Sequence, residues 1–195
     1  MKELSKMLTD APVAAAPLRF CARIVSGGQT GADRAALDFA IRLHYPHGGF
    51  APQGRLAEDG RIPEQYQLVE LPEGGYRQRT RRNVLESDGT LIVNIGALDG
   101  GTLTTQKFAV KLKRPHLLVQ LDSESVPEAA ARLLAWLDGH AIKTLNVAGP
   151  RESKRPGIHR LTEELLHAAH QLCGGADAIP IANVIDCRRM LLATY

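Results

Sequence analysis

Short apolar runs alternate along the chain with stretches in which apolar residues recur every three or four positions. The runs predict strands at 23–26, near 49–51, and at 68–71, 90–95, 116–121 and 145–148. The helical spacing predicts helices at about 31–44, 77–87, 104–112, 127–137 and 157–172. Strands that alternate with helices predict an α/β fold, a Rossmann-like three-layer sandwich with a mostly parallel central sheet.

The pattern weakens at both ends of the chain and in one internal stretch. Residues 1–19 have charged and proline residues inside a short alanine-rich run, which predicts a flexible N-terminal arm rather than a signal peptide. Residues 20–195 are then one Rossmann-like ligand-binding domain. Residues 45–66 have no long periodicity and predict mainly a long loop, a feature that is often functional. The last 20 residues are ambiguous.

Composition narrows the function classes. The 195 residues are 44% hydrophobic and 23% charged, and the net charge of +3 is too small to indicate nucleic-acid binding. No apolar run approaches the roughly 20 residues that span a bilayer, which predicts a cytoplasmic protein without membrane contact. The three cysteines show no C-x-x-C spacing and the histidines form no ligand set, so no disulfide framework and no metal site is predicted.

Gly-rich loops follow three of the predicted strands. They lie at 26–33, 96–102 and 149–157. In a parallel α/β sheet the carboxyl ends of the strands lie at one edge, and ligands bind outside that edge. The three loops are therefore expected to converge on one binding site.

The first loop has the composition of an anion-binding turn at a helix N-terminus. Its candidate binding residues are Ser26, Gly27, Gly28, Gln29, Thr30 and Gly31. Glycines permit close backbone approach, and the helix that follows presents free N–H groups to a phosphate. The loop lacks the Lys-Ser/Thr pair of a Walker motif. Substitution of Gly28 by valine is expected to block binding without unfolding the domain.

Asp33 follows this loop, in the first turn of the predicted helix. It is a candidate contact to a polar group of a ribose or a base, or to a metal ion. The alternative is that its carboxylate only stabilises the helix N-terminus.

The remaining candidate residues supply further donors and positive charge. Arg55 and Arg79 could each bind a phosphate, and the alternatives are a solvated turn and an exposed or subunit-contact helix face. The loops after the other two strands form a second and a third candidate cradle, for which ordinary strand-to-helix turns are the alternative. Their binding candidates are Gly100, Gly101, Thr102, Thr105, Gly149, Arg151 and Ser153.

The order of these motifs resembles the molybdenum carrier family. The resemblance covers about residues 22–172. It is carried by the strings SGGQTGAD from Ser26, GR from Gly54, AEDG from Ala57, RT from Arg79, NV from Asn83, SDGT from Ser87, GT from Gly101 with Thr105, and NVAGPRES from Asn146. It implies a Rossmann-like fold related to LOG-type and lysine-decarboxylase-like nucleotide proteins. It also implies that the cofactor is molybdenum cofactor, a phosphorylated pterin, or a nucleotide. Molybdoenzymes are implied partners, and the relatives suggest a homo-oligomer.

The related LOG-type enzymes resemble one another in a P-G-G-x-G-T-x-x-E motif with a catalytic glutamate. Here Asp99 stands in place of the proline, Leu103 in place of the third glycine and Lys107 in place of the glutamate. Catalysis would then need another carboxylate, such as Glu58, Asp59 or Glu86. A binding or carrier protein for a small phosphorylated ligand is therefore expected. The alternatives are a nucleotide-processing hydrolase and a nucleotide-sensing module.

Overall fold

The computed structural model describes residues 19–174, and the predicted arm up to residue 18 and the ambiguous last 20 residues lie outside this range. Within it, five parallel strands form the central sheet in the order β2-β1-β9-β7-β8. These strands are β1 (Arg23–Val25), β2 (His47–Gly48), β7 (Gly89–Asn94), β8 (His116–Gln120) and β9 (Thr144–Ala148). The predicted parallel α/β sheet is confirmed.

Within residues 19–174, five helices cover the two faces of the sheet. They are α1 (Ala32–Arg42), α2 (Tyr76–Leu85), α3 (Gly100–Lys111), α4 (Val126–Gly139) and α5 (Ile158–Gly174). Helices α1, α5 and α4 pack side by side and α2 packs on α3, which completes the three layers. The main core lies between the sheet and the α1–α5–α4 layer, and a smaller cluster around Val84 and Phe108 joins α2 to α3.

Local sequence accounts for most of these elements. All residues of β7 are buried, as expected for a central strand covered on both faces. Four alanines on the buried face of α1 allow that helix to pack closely on the sheet. Ser125 and Glu128 form a capping box at the start of α4, with Pro127 in its first turn.

The segment 45–66, predicted mainly as a loop, contains several short elements. Besides β2 it holds β3 (Phe50–Ala51), β4 (Leu56–Ala57) and β5 (Gly60–Arg61), with a single 3-10 turn at Gln53–Arg55. Strand β3 pairs with β6 (Val69–Glu70), and β4 pairs with β5 as a hairpin. Strand β3 agrees with the strand predicted near 49–51, whereas β2, β4 and β5 were not predicted, because two-residue strands carry no periodicity.

Helix α3 begins one turn earlier than its periodicity predicts. Gly100 and Gly101 form its first turn after Asp99, whereas the apolar spacing predicted a start near Thr104. Glycines are poor helix formers and contribute no apolar face, so the pattern places the start too late. The two glycines therefore belong to a helix N-terminus rather than to a separate loop.

Candidate functional site

A cavity of about 360 Å³ opens at the carboxyl ends of β1, β9 and β7. These strands are neighbours in the sheet, so the loops that follow them converge as the sequence predicted. Most of the predicted binding residues line this cavity, namely Gly27, Gln29, Asp33, Arg79, Gly101, Thr102, Thr105, Gly149, Arg151 and Ser153. Its volume falls at the lower end of the ~300–1,000 Å³ range of small-molecule sites.

Asp33 and Arg79 form a buried ion pair at the base of the cavity. Arg79 Nη1 lies 2.8 Å from Asp33 Oδ2, and the two side chains are 11% and 5% exposed respectively. The backbone N–H groups of Gln29 and Gly149 also donate to the Asp33 carboxylate. Burial raises the pKa of Asp33, and the Arg79 charge together with these hydrogen bonds opposes that rise.

The ion pair explains why residue 27 is glycine. A Cβ built on Gly27 would lie 1.5 Å from Arg79 Nη1, so the guanidinium packs directly on the backbone of the first loop. The carboxylate of Asp33 accepts the hydrogen bonds that an anion at this loop would accept from Gln29 and Gly149. The first loop is therefore filled by a side chain of the protein.

The amino end of α3 has no such internal partner. Asp99 is the N-cap residue, but its side chain makes no capping hydrogen bond. Among the described residues no acceptor contacts the N–H groups of Gly100, Gly101 and Thr102, whereas the N–H of Leu103 already bonds to Asp99 O. Gly101 and Thr102 line the cavity, so unpartnered donors and the positive end of the helix dipole face it.

Helix α5 differs from α3 in this respect. The Glu152 carboxylate accepts hydrogen bonds from the N–H groups of Gly157 and His159, at 2.5 and 3.0 Å. An acidic side chain of the protein thus occupies the start of α5. Among the helices that follow β1, β7 and β9 in the described part of the chain, α3 is the one that presents an unfilled N-terminus to the cavity.

Charged side chains surround the mouth of the cavity. Lys154 Nζ lies 2.6 Å from Asp99 Oδ1, and this contact lowers the pKa of Asp99. Arg151 forms no ion pair within the described residues, and its guanidinium lies over the ring of Tyr76, with Cζ 5.2 Å from the ring centroid. Tyr76 and Lys154 were not among the predicted binding residues. Tyr76 directly precedes the predicted helix 77–87, and Lys154 lies within the predicted loop 149–157.

Two buried donor nitrogens among the lining residues lack a partner within the described range. They are Gln29 Nε2 and Arg79 Nε. The other end of the Gln29 amide is fully used, because Oε1 accepts from the N–H groups of Thr30 and Glu58, at 3.0 and 2.9 Å. Unpaired buried donors are costly, and in native structures they are commonly satisfied by a water or a ligand.

Asn83 and Asn146 are further buried polar side chains of the lining. Asn83 bonds through its amide to both the N–H and the C=O of Phe50, and Asn146 donates to Thr90 Oγ1 at 3.2 Å. Asn146 is the one polar residue in the apolar run 145–148, and this is the sequence signal that marks it. Arg82, three residues after Arg79 on α2, is not in the lining and pairs with Glu86 at 3.1 Å.

Several predicted residues do not line the cavity. Ser26 is buried and its hydroxyl donates to Val147 O at 2.7 Å, so it ties β1 to β9. Arg55 is also buried, and it donates to the carbonyl oxygens of Ile62, Pro63, Tyr66 and Leu68 at 2.9–3.2 Å. Both side chains hold backbone segments together away from the cavity.

Four further predicted residues also lie outside the cavity lining, namely Gly28, Thr30, Gly31 and Gly100. Gly28 has φ +74° and faces the apolar cluster around Leu68, while Gly31 has φ +76° and packs on the backbone of Pro150. Gly100 also has a positive φ and lies beside Lys154. The hydroxyl of Thr30 donates to Glu58. These positions serve the loop conformation and its packing.

The carboxylates considered for catalysis are engaged elsewhere and none lines the cavity. Glu58, at the β4–β5 turn, accepts hydrogen bonds from Thr30 and Ser153 and so joins the first and third loops. Partial burial alone would raise the pKa of Glu58, but these hydrogen bonds outweigh it and lower that pKa. Asp59 pairs with Arg34 and Glu86 with Arg82. Lys107, at the position of the LOG-type glutamate, is exposed.

Within residues 19–174 no group of three or more His, Cys, Asp or Glu side chains is arranged to hold a metal ion. In the same range, no helix combines the length and the apolar character needed to cross a bilayer.

Comparison with known proteins identifies the family. Residues 24–170 match the model of the Circularly permutated YpsA SLOG family, so the chain belongs to that family. It is also similar to a crystal structure from Syntrophus aciditrophicus SB at 1.45 Å resolution, titled "Putative molybdenum carrier protein". The two chains are 51% identical with a TM-score of 0.76, over 78% of this chain and 96% of that one. No curated protein matches the chain. The family resemblance inferred from the motifs is confirmed.

Proposed function

We propose that this protein binds a small phosphorylated ligand in the cavity, with the phosphate at the amino end of α3. The observation that carries the proposal is the unfilled start of this helix, where the N–H groups of Gly101 and Thr102 face the cavity. Three N–H donors and the helix dipole favour an anion at such a position. At the starts of α1 and α5, the carboxylates of Asp33 and Glu152 already accept hydrogen bonds from backbone N–H groups, so fewer donors remain for a ligand.

The distribution of charged side chains also favours a phosphate at the amino end of α3. Asp33 neutralises Arg79 and Asp99 contacts Lys154, whereas Arg151 has no ion-pair partner within the described residues. The charge of Arg151 acts on Glu58 without a direct contact, and a phosphate near α3 would give Arg151 an ion-pair partner. The unpaired nitrogens of Gln29 and Arg79 suit a ligand whose remaining part accepts hydrogen bonds, directly or through water.

Two ligand classes combine a phosphate with a hydrogen-bonding ring: nucleotides and the phosphorylated pterin of molybdenum cofactor. The name of the relative from S. aciditrophicus favours the pterin. For either ligand, Gly101, Thr102 and Arg151 would hold the phosphate, and Asp33 and Gln29 would contact the polar groups beyond it. The role proposed is binding or carriage rather than hydrolysis, because Lys107 stands where LOG-type enzymes have their glutamate.

The experiment uses a pair of variants at Gly101 that are matched in size and differ in charge. A Cβ at this position meets no atom within 4 Å, so both Gly101→Asp and Gly101→Asn should fold. An aspartate in the first turn suits the helix dipole but repels a phosphate, whereas asparagine has the same size without the charge. We expect Gly101→Asp to bind at least ~10-fold more weakly than Gly101→Asn, as one like charge at close range implies.

Binding is measured by thermal shift and calorimetry with inorganic phosphate, GMP and isolated molybdenum cofactor. A ligand at 100 times its Kd should stabilise the folded protein by about 2.7 kcal/mol. If none of the three stabilises the wild type, or if the two variants bind alike, the proposal is wrong. Chromatography of the GMP samples after incubation separates binding from hydrolysis, because a hydrolase would release the free base.

A carrier of this kind would deliver its ligand to molybdoenzymes, and a homo-oligomer is part of the proposal. Native mass spectrometry with and without ligand measures the assembly directly. A change of assembly on binding GMP would favour the sensing alternative over carriage.

A further inference from the structure

The cavity wall contains a single aromatic side chain among the described residues that line it. Tyr76 is the first residue of α2 and is 41% exposed. It faces the cavity on one side and a neighbouring open cleft, lined by Pro52, Gln53 and Leu56, on the other. Tyr76 belongs to none of the hydrophobic clusters of the described residues, so this ring at the mouth of a polar cavity is not part of the core.

The face of this ring is covered by a flat cationic group. The guanidinium of Arg151 lies over Tyr76, with Cζ 5.2 Å from the ring centroid. Arg151 lies in the loop after β9, and its guanidinium makes no ion pair within the described range. Cation–π contacts at exposed sites are weak. The contact can therefore be exchanged for another flat group at little cost.

We infer that Tyr76 determines specificity for ligands with a planar heteroaromatic ring, which stacks on the face that Arg151 now covers. The inference rests on the proposed function, because the ring must belong to a ligand whose phosphate lies at α3. Displacement from Tyr76 frees Arg151 to pair with that phosphate. Ring recognition and phosphate recognition are then coupled through one arginine.

The rest of the cavity wall supports this assignment. Apart from Tyr76, its apolar members are the aliphatic residues Val147 and Ala148 at the end of β9 and Pro150 just after it. Stacking on an aromatic side chain is tolerant of ring identity because every base has a π-face. A purine and a pterin would thus be accepted alike, whereas a sugar phosphate without a ring would gain nothing from Tyr76.

The test compares GMP with ribose 5-phosphate, two ligands that share a phosphorylated pentose and differ in the ring. Calorimetry is carried out on the wild type, Tyr76→Ala and Tyr76→Phe. Leu56→Ala is the matched control, since Leu56 is a similarly exposed apolar residue outside the cavity. We expect the wild type to prefer GMP by about tenfold, within the range implied by base stacking on aromatic side chains.

Tyr76→Ala should remove this preference and leave the affinity for ribose 5-phosphate nearly unchanged. Tyr76→Phe and Leu56→Ala should retain the preference, and thermal melting establishes that each variant is folded. Equal affinity of the wild type for the two probes, or a preference that persists in Tyr76→Ala, overturns the inference while leaving phosphate binding intact. If the wild type binds neither probe, both the ring inference and the proposed function fail.

Discussion

The buried pair of Asp33 and Arg79 allows a quantitative test of how the base of the cavity is built. The perturbation is Arg79→Met, which removes the charge and keeps much of the length of the side chain. It leaves a carboxylate that is 5% exposed with two backbone donors, the N–H groups of Gln29 and Gly149. Removing one partner of a buried ion pair costs about 3–5 kcal/mol.

We expect Arg79→Met to lower the free energy of unfolding by about 3 kcal/mol, the lower end of that range, because the two backbone donors still contact Asp33. Asp33→Asn should lower it by a similar amount, since it leaves Arg79 buried without its counter-charge. The double variant should lose at least ~1 kcal/mol less than the sum of the two, as residues in direct contact are energetically coupled.

The pH dependence of the free energy of unfolding gives an independent check on how Arg79 affects the charge of Asp33. Burial raises the pKa of Asp33 above its ordinary value of 3.8, and removal of Arg79 should raise it further. An acid with a raised pKa in the folded state binds its proton more tightly when folded, so stability is lost as the pH rises from 3.8 through the folded-state pKa. The deficit of Arg79→Met should therefore shrink towards acid pH.

Urea unfolding of the wild type, both single variants and the double variant, at several pH values, measures these quantities. Asp33→Asn/Arg79→Met serves as its own control for lost packing, because it has no buried charge at either position. Additive effects within 0.5 kcal/mol, the limit expected for independent sites, would refute the reasoning. So would an Arg79→Met deficit that is independent of pH.

Two further predictions concern the loops around the cavity. Gly28→Val should destabilise the fold by at least ~2 kcal/mol, because its Cβ would lie 2.5 Å from Leu68 Cδ1 at a φ of +74°; an unchanged melting temperature would contradict this. The structure thus argues against the expectation that this variant loses binding alone. Glu58→Gln should cost at most ~1 kcal/mol, since Glu58 is exposed. Because the pKa of Glu58 is lowered, its contribution should be present above its ordinary value of 4.5 and disappear as the pH falls below it. Chemical unfolding at pH 7 and pH 3.5 measures it, and an undiminished difference at pH 3.5 would contradict the assignment.

The order of strands, loops and helices was predictable from sequence because it depends on local periodicity. Parallel strands place their carboxyl ends at one edge of a sheet, so the convergence of the loops after β1, β7 and β9 followed without a structure. The main local error, the late start of α3, arose because Gly100 and Gly101 contribute no apolar pattern.

Tertiary structure decided which of the similar loops is available to a ligand. The first loop and the start of α3 look alike in sequence, but the first is filled by a carboxylate paired with Arg79, which is 46 residues away along the chain. Arg55 was predicted as a phosphate ligand, but its guanidinium is buried and donates hydrogen bonds to four backbone carbonyl groups instead. Sequence by itself determined the fold and the edge at which the cavity lies. Only long-range packing decided which donors remain free, since a donor is free only when no distant part of the chain has already bonded to it.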